Sequence, residues 1–298
     1  MSGFAGVDSS KSSFDVSLDG TVLKVERSPK SVRKLLRALP EGTCLVMEAT
    51  AKLHLMLADA AYEAGFTVYV VNPADFARYR ESVNYRVKSD AVDAQILARY
   101  GEREHDRLRR YVPQDKLSMR VRELLGLRDQ LVESRVAISQ SLSQITLLDS
   151  LALKEVELTL AQMSRNADAI EVEIHELLSS NPVYIRLLRL PGIGPITAAA
   201  LTWALSRGTF ENRDKFVAFI GMDVRIRESG MWKGRRKLTK RGDPLLRKLL
   251  YMGASSLRAS AAWKGRFASL EARGISKVAS TVIVARQIAR NAYAHSNP

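Results

Sequence analysis

Four carboxylates in the first third of the chain have the types and spacing to hold a divalent cation. Asp8 closes the strand-like FAGVD, and Glu48 closes the apolar run TCLVMEA. Asp90 and Asp93 lie three apart at the start of SDAVDAQILARYGERE, so a helix there presents both on one face. Hard cations such as Mg²⁺, or Mn²⁺ in its place, take oxygen ligands, and two of them about 4 Å apart clamp the attacking and leaving oxygens of a phosphoryl transfer. Four like charges gathered without a cation are costly. Each acid alone also has an ordinary role. Asp90 and Asp93 complement a helix N-terminus, Asp8 caps a turn, and Glu48 precedes a helix.

A second candidate lies in RIRESGMWKGRRKLTKRG, residues 225–242, where Ser229-Gly230 interrupts a dense basic run. A serine hydroxyl is a poor nucleophile until activated. Arg225, Arg227, Lys233, Arg235 and Arg236 are placed to stabilise negative charge on a scissile phosphate. Lys237, Lys240 and Arg241 extend the same cationic surface along a polyanion. The alternative is that Ser229-Gly230 only forms a turn. Upstream, LPGIGPITAAALTWAL (190–205) reads as a helix-hairpin-helix. Gly192 and Gly194 permit a tight turn whose N–H groups, with the next helix N-terminus, hold a phosphate without reading bases. A glycine-rich connector is the competing reading. Ser255 and Ser256 are expected to be buried or held rigid, Tyr251 and Cys44 to be core, and Trp232 to stack on a base or anchor locally. The histidines are scattered without metal-ligand spacing.

The charge distribution separates these regions. The chain of 298 residues carries a formal charge of +14. Residues 1–104 hold 14 basic and 14 acidic side chains, residues 105–180 hold 10 and 12, and residues 181–298 hold 22 and 6. An excess confined to the last third is the footprint of a polyphosphate binder. One cysteine excludes an internal disulfide and suits a reducing compartment. No apolar run reaches membrane-spanning length, and the first residues do not read as a signal peptide. The expected setting is cytoplasmic, with no membrane partner.

The elements that must position these groups follow from periodicity. Strands are expected at 4–8, 13–18 and 21–26, with Asp19-Gly20 as a hairpin turn, and two buried strands at 43–49 and 66–72. Helices are expected at 31–39, 51–65, from Pro73 to about 81, and at 89–104. This predicts an α/β domain with a mixed sheet over 1–104. A 4-3 apolar spacing from Leu117 to Ile145, with Arg128 and Arg135 on the seam, and another from Val156 to Leu177, predict an antiparallel helical hairpin over 105–180, turning near Asp149-Ser150. Residues 181–298 read as a basic, mainly helical DNA-binding domain.

GVDSSK (6–11), EAT (48–50), VVNP (70–73) and KSDAVDAQILARYG (88–101) resemble the N-terminal domain of the D-E-D-D insertion-sequence transposases, a family that includes the Piv-type DNA invertases. The order of the hairpin motif, an F-x-G element, Ser-Gly and K-R-G-D-x-x-L-R resembles that family's C-terminal domain. The resemblance implies an RNase H-like (RuvC-like) fold for the first domain, with Asp8, Glu48, Asp90 and Asp93 as catalytic metal ligands. It implies double-stranded DNA as the bound polyanion, Ser229 as nucleophile, sites shared within a homo-oligomer (dimer or tetramer), and, for the transposase branch, a structured guide RNA. The expectation is a DNA transposase acting through a phosphoserine, with a Piv-type invertase as alternative. A metal-dependent structure-specific nuclease, or a non-catalytic nucleic-acid-binding protein, is the rival of another class.

Overall fold

The computed structural model describes residues 3–50, 52–83, 89–145, 151–225, 228–229, 232–233 and 237–296, with 228–229 and 232–233 described by backbone alone. The chain forms two compact units, 1–113 and 114–298. The expected boundary at 104 falls within the first unit and that at 180 within the second. Tyr111 holds residues 105–113 in the first unit: its N–H donates to Val68 O at 2.7 Å and its hydroxyl to Asp59 at 2.5 Å.

The first unit is built on β1 (Phe4–Ser9), β2 (Ser13–Leu18), β3 (Thr21–Glu26), β4 (Cys44–Glu48) and β5 (Thr67–Val71), in the order β3-β2-β1-β4-β5. β1 pairs antiparallel with β2 and parallel with β4, so the sheet is mixed as expected. The β2–β3 turn uses Asp19 at φ 49° and Gly20 at φ 82°, the doubly positive pair that a two-residue hairpin demands. Strand alternation sends Ala5, Val7, Phe14, Val16, Leu45 and Met47 to one face, covered by α1 (Pro29–Ala38) and α2 (Leu55–Glu63). Val46, Tyr69 and Val71 face the other way, onto α3 (Pro73–Ser82) and α4 (Asp90–Glu104). α1 starts two residues before the expected 31 because Ser28 caps it, accepting from Ser31 N, and Pro29 opens it. Cys44, expected in the core, is only half-buried, because it opens β4 on the face that α4 covers incompletely.

α4 crosses β1 without an intervening side chain. A Cβ on Gly6 would stand 1.9 Å from Ala94 O and 2.3 Å from Ala98 N, and one on Gly101 would stand 2.3 Å from Val46 Cγ2. Hydrogen on both glycines therefore lets the helix lie directly on the sheet.

The second unit opens with α5 (Lys116–Leu142) and α6 (Leu151–Leu178). Arg120 bonds Glu173 and Arg128 bonds Glu171 at 2.9 Å, so one helix ascends as the other descends. Arg128, one of the two arginines on the expected seam, is thus answered by a carboxylate of the facing helix. The expected turn near Asp149-Ser150 lies outside the described residues. Val121, Leu125, Ile174 and Leu178 join a core with α7 (Pro182–Leu187), α8 (Pro195–Ser206), α9 (Arg213–Phe219), α10 (Pro244–Ser256), α11 (Ala261–Ala272) and α12 (Lys277–Ser296). The base of the hairpin is therefore part of the basic unit. Among the described residues no helix is long and apolar enough to cross a membrane.

The glycine contact sets an expectation for stability. Gly6→Ala should destabilise the first unit by about 2–3 kcal/mol, since added volume in a close-packed contact forces backbone shifts. Gly194→Ala, whose Cβ would meet nothing within 4 Å, should cost far less. Thermal unfolding of both variants checks the contrast, and equal losses would contradict it.

Candidate active site

The α4–β1 crossing gathers the acids. From Gly6 to Asp8 the strand advances about 6.6 Å. From Ala94 back to Asp90 the helix retreats about 6 Å. The second glycine contact, Gly101 with Phe4 and Val46, shows that the two elements run in opposite senses, so both steps lead to the same end of the sheet. Glu48 enters from β4, which runs parallel to β1 with Met47 beside Val7. Ser89 caps α4 by accepting from Val92 N at 3.3 Å, which fixes the turn that carries Asp90 and Asp93.

The electrostatics record this convergence. Burial pushes the Asp8 carboxyl up to about 6; Asp90, Asp93 and Glu48 add to the rise, and the Ser9 backbone N–H opposes it. Asp93 is buried, and Arg80 Nη1 donates to both of its oxygens at 3.2 and 3.3 Å. With the side chains so placed, no group of three or more His, Cys, Asp or Glu among the described residues forms a ready ligand set. The acids share one field, but they do not close on a common point.

A fifth acid went unnoticed in the sequence. Asp15 of β2 lies directly opposite Asp8, is 7% exposed, and its Oδ2 has no hydrogen-bond partner among the described residues. The alternation of SFDVSL was the available signal: it puts Asp15 on the face of Ser13 and Ser17, opposite Phe14 and Val16.

In the second unit the serine lies on a nested hairpin. β6 (Val224–Arg225) pairs with β9 (Lys237–Leu238), and between them β7 (Glu228–Ser229) pairs with β8 (Trp232–Lys233). Ser229 stands opposite Trp232 with two residues between, so it occupies the tip of the hairpin. The root is held by a backbone crossing. A Cβ on Gly221 would meet Gly242 N at 2.4 Å, and one on Gly242 would meet Ile220 C at 2.2 Å. Lys240 adopts φ 57° and donates its N–H to Gly221 O, and Thr239 bonds Asp223 through backbone and side chain. Arg247, present in the sequence as part of the K-R-G-D-x-x-L-R run but given no role, donates to Ile220 O and Gly242 O. Arg225, Lys237, Lys240 and Arg241 are exposed. Arg227, Arg235 and Arg236 lie outside the described residues, and for Ser229 and Lys233 only the backbone is described.

The glycines of the hairpin motif divide in role. Gly192, at φ 76°, packs against α10: a Cβ on Gly253 would stand 2.1 Å from Gly192 O. Gly194 caps α8 and faces open space. One expectation is corrected here: Tyr251 is exposed, not core. Ser255 and Ser256 are exposed too, held on α10 and not buried, because α10 turns Leu246, Leu249, Leu250 and Ala254 inward and leaves the opposite side to solvent.

Comparison with known proteins agrees with both halves. Residues 5–151 match the DEDD transposase profile of the IS110 type, and residues 185–268 match the transposase profile of the IS116/IS110/IS902 family. The chain belongs to this transposase family. It is 28% identical over 193 residues to a pilin gene-inverting protein of Moraxella bovis, covering 63% of this chain and 58% of that protein. It is 27% identical over 262 residues to a probable family 20 transposase of Pseudomonas aeruginosa, covering 76% and 74%. It is 26% identical over 279 residues to the transposase of insertion sequence element IS1328 of Yersinia enterocolitica, covering 82% and 80%. The chain therefore spans less than two thirds of the length of the gene-inverting protein.

In this chain the acidic centre should destabilise the cation-free fold at neutral pH. Asp8 has a folded-state pKa of about 6, above its ordinary 3.8. Its protonated form is thus favoured by folding, and that stabilisation is present below pH 4 and lost as pH rises through 6. Asp8→Asn should raise cation-free stability at pH 7.5 by roughly 1 kcal/mol, after discounting for the solvent screening of a half-exposed group, and leave it nearly unchanged at pH 4. Chemical denaturation at the two pH values measures the difference. An equal effect at both would show that the cost of ionising Asp8 is not its source.

Proposed function

We propose that the protein is a DNA recombinase of the transposase type in which Asp8, Glu48, Asp90 and Asp93 hold Mg²⁺ or Mn²⁺ and Ser229 carries the cleaved strand. The observation that bears most weight is the α4–β1 crossing, which brings Asp8 and Asp90 to one end of the sheet beside Glu48; burial first, and the neighbouring acids second, raise the Asp8 carboxyl there, which suits a divalent cation. The mixed sheet and the helix bearing the acid pair are compatible with an RNase H-like domain. When bound, the cation would supply charge neutralisation at the reacting phosphate.

The chain's own groups would do the rest. The hairpin offers Ser229 at its tip, flanked by Arg225 and Lys237 at its root. Ser229 Oγ would form a bond to the scissile phosphorus as the bond to one deoxyribose oxygen breaks, the serine giving up its proton and the leaving oxygen taking one up, directly or through solvent. Attack by another strand's hydroxyl would reverse the step and free the serine, so no ATP is needed. Exposed Lys240 and Arg241, with the open N-terminus of α8 at Gly194, suit contacts with the phosphate backbone. Acids and serine belong to separate units, which suits a site assembled between copies of a homo-oligomer. A structured guide RNA follows from the family resemblance, and the basic last third is suited to bind it.

A site-specific invertase is the second reading, favoured by the match to a protein named for inverting a pilin gene. Both readings use the same strand chemistry.

Ser229→Ala should abolish covalent protein–DNA adducts on nicked substrate, a loss of at least about 100-fold, while DNA affinity stays within about threefold because phosphate contacts dominate it. Adducts that persist would refute the serine step. Unaltered cleavage without any adduct would mark a metal nuclease. Asp8→Ala should lose recombination with DNA binding retained; unaffected recombination would remove the acidic centre from the reaction.

A further inference from the structure

Arg80 bonds Asp93, an acid of the proposed cation centre, and nothing in the proposed chemistry uses it. It sits on the last turn of α3, whose start is set by Asn72 accepting from Ala74 N and by Pro73. Its Nη1 reaches Oδ1 of Asp93 at 3.2 Å and Oδ2 at 3.3 Å. The guanidinium side chain is 27% exposed and the carboxylate 12%. Both oxygens that Asp93 would offer a cation are therefore directed at one nitrogen.

We infer that Arg80 is a resident counter-ion that competes with the divalent cation for Asp93, and that cation binding releases it toward the DNA backbone. The inference rests on the cation reading above. Its grounds are geometric. A guanidinium stays charged throughout the physiological range, so Asp93 is vacated only when the side chain moves. The contact is a single nitrogen shared between two oxygens, not the parallel fork of a strong arginine–carboxylate pair, and it is longer than the roughly 2.7–2.9 Å of a good charge-assisted bond. Such a contact is easily exchanged. Breaking a partly buried pair is costly when the carboxylate is left alone, but an arriving cation takes over the same charge. The freed guanidinium then lies at the rim of the centre with a solvent-facing side, where a phosphate diester is the ligand its donor geometry matches. Arg80 is on this account a positioning residue: it balances the acids while the centre is empty and meets the polyanion once the centre is filled.

The experiment is Mn²⁺ titration of the full chain by calorimetry for the wild type, Arg80→Gln, Arg80→Met and Asp8→Asn, followed by DNA affinity with and without saturating Mn²⁺. Arg80→Met keeps the aliphatic stem and guards against loss of packing. Removing the competitor should tighten Mn²⁺ binding about tenfold in either Arg80 variant, the scale of one partly buried ion pair. A purely structural Arg80 that orients Asp93 predicts the opposite sign, so unchanged or weaker Mn²⁺ binding overturns the competition. DNA affinity of the variants should fall about threefold only when Mn²⁺ is present; an equal fall without Mn²⁺ overturns the release. If Asp8→Asn binds Mn²⁺ as the wild type does, the cation reading itself fails, an outcome distinct from both.

Discussion

The direct contact of a helix with a strand at Gly6 is the constraint on which the first unit's chemistry depends. Because no side chain separates them, α4 lies on β1 closely enough for its first turn to reach the end of the strand. That turn carries Asp90 and Asp93, and the strand end carries Asp8. Like charges are thereby held together by apolar packing: Val46, Ile96, Leu97 and Phe76 on the same face anchor the helix regardless of what the acids prefer. Burial first, and these neighbouring acids second, raise the Asp8 carboxyl above its ordinary range.

The second unit solves a different problem with a similar device. Its hairpin needs a rigid base, and short two-residue strands supply little by themselves. The base comes instead from two backbones crossing at Gly221 and Gly242, with Arg247 donating to carbonyls of both segments. The cationic side chains at the root are thus not a solvated tail. They are attached to a helical core that includes α8, α9, α10 and α12.

Much of this was legible from the sequence. Apolar alternation and two continuous apolar runs, at 43–49 and 66–72, located the five strands, and Asp19-Gly20 announced its turn. Capping signals set α4 within a residue, because Ser89 is an ordinary N-cap. α1 was placed two residues late because its start is set by Ser28 and Pro29, outside the apolar period. The four acids could be named but not their field, which arises from a long-range packing contact that no local pattern encodes. Asp15 was missed because an acid in an alternating strand reads as solvent-facing, whereas α4 covers that face. Arg80 was missed because its partner lies 13 residues away across the start of another helix. Tyr251 was misplaced because it adjoins the apolar Leu249-Leu250 pair in sequence, and only tertiary packing chose the inner face of α10.

The central claim is that packing forces carboxylates together so that a divalent cation is the group they lack. Carbon-13 titration of the Asp8 carboxyl by NMR, with and without Mg²⁺, tests it most directly. The account predicts a midpoint near 6 without Mg²⁺ and a shift well below the ordinary carboxylate range when Mg²⁺ is added. A midpoint at the ordinary value that Mg²⁺ does not move would contradict it.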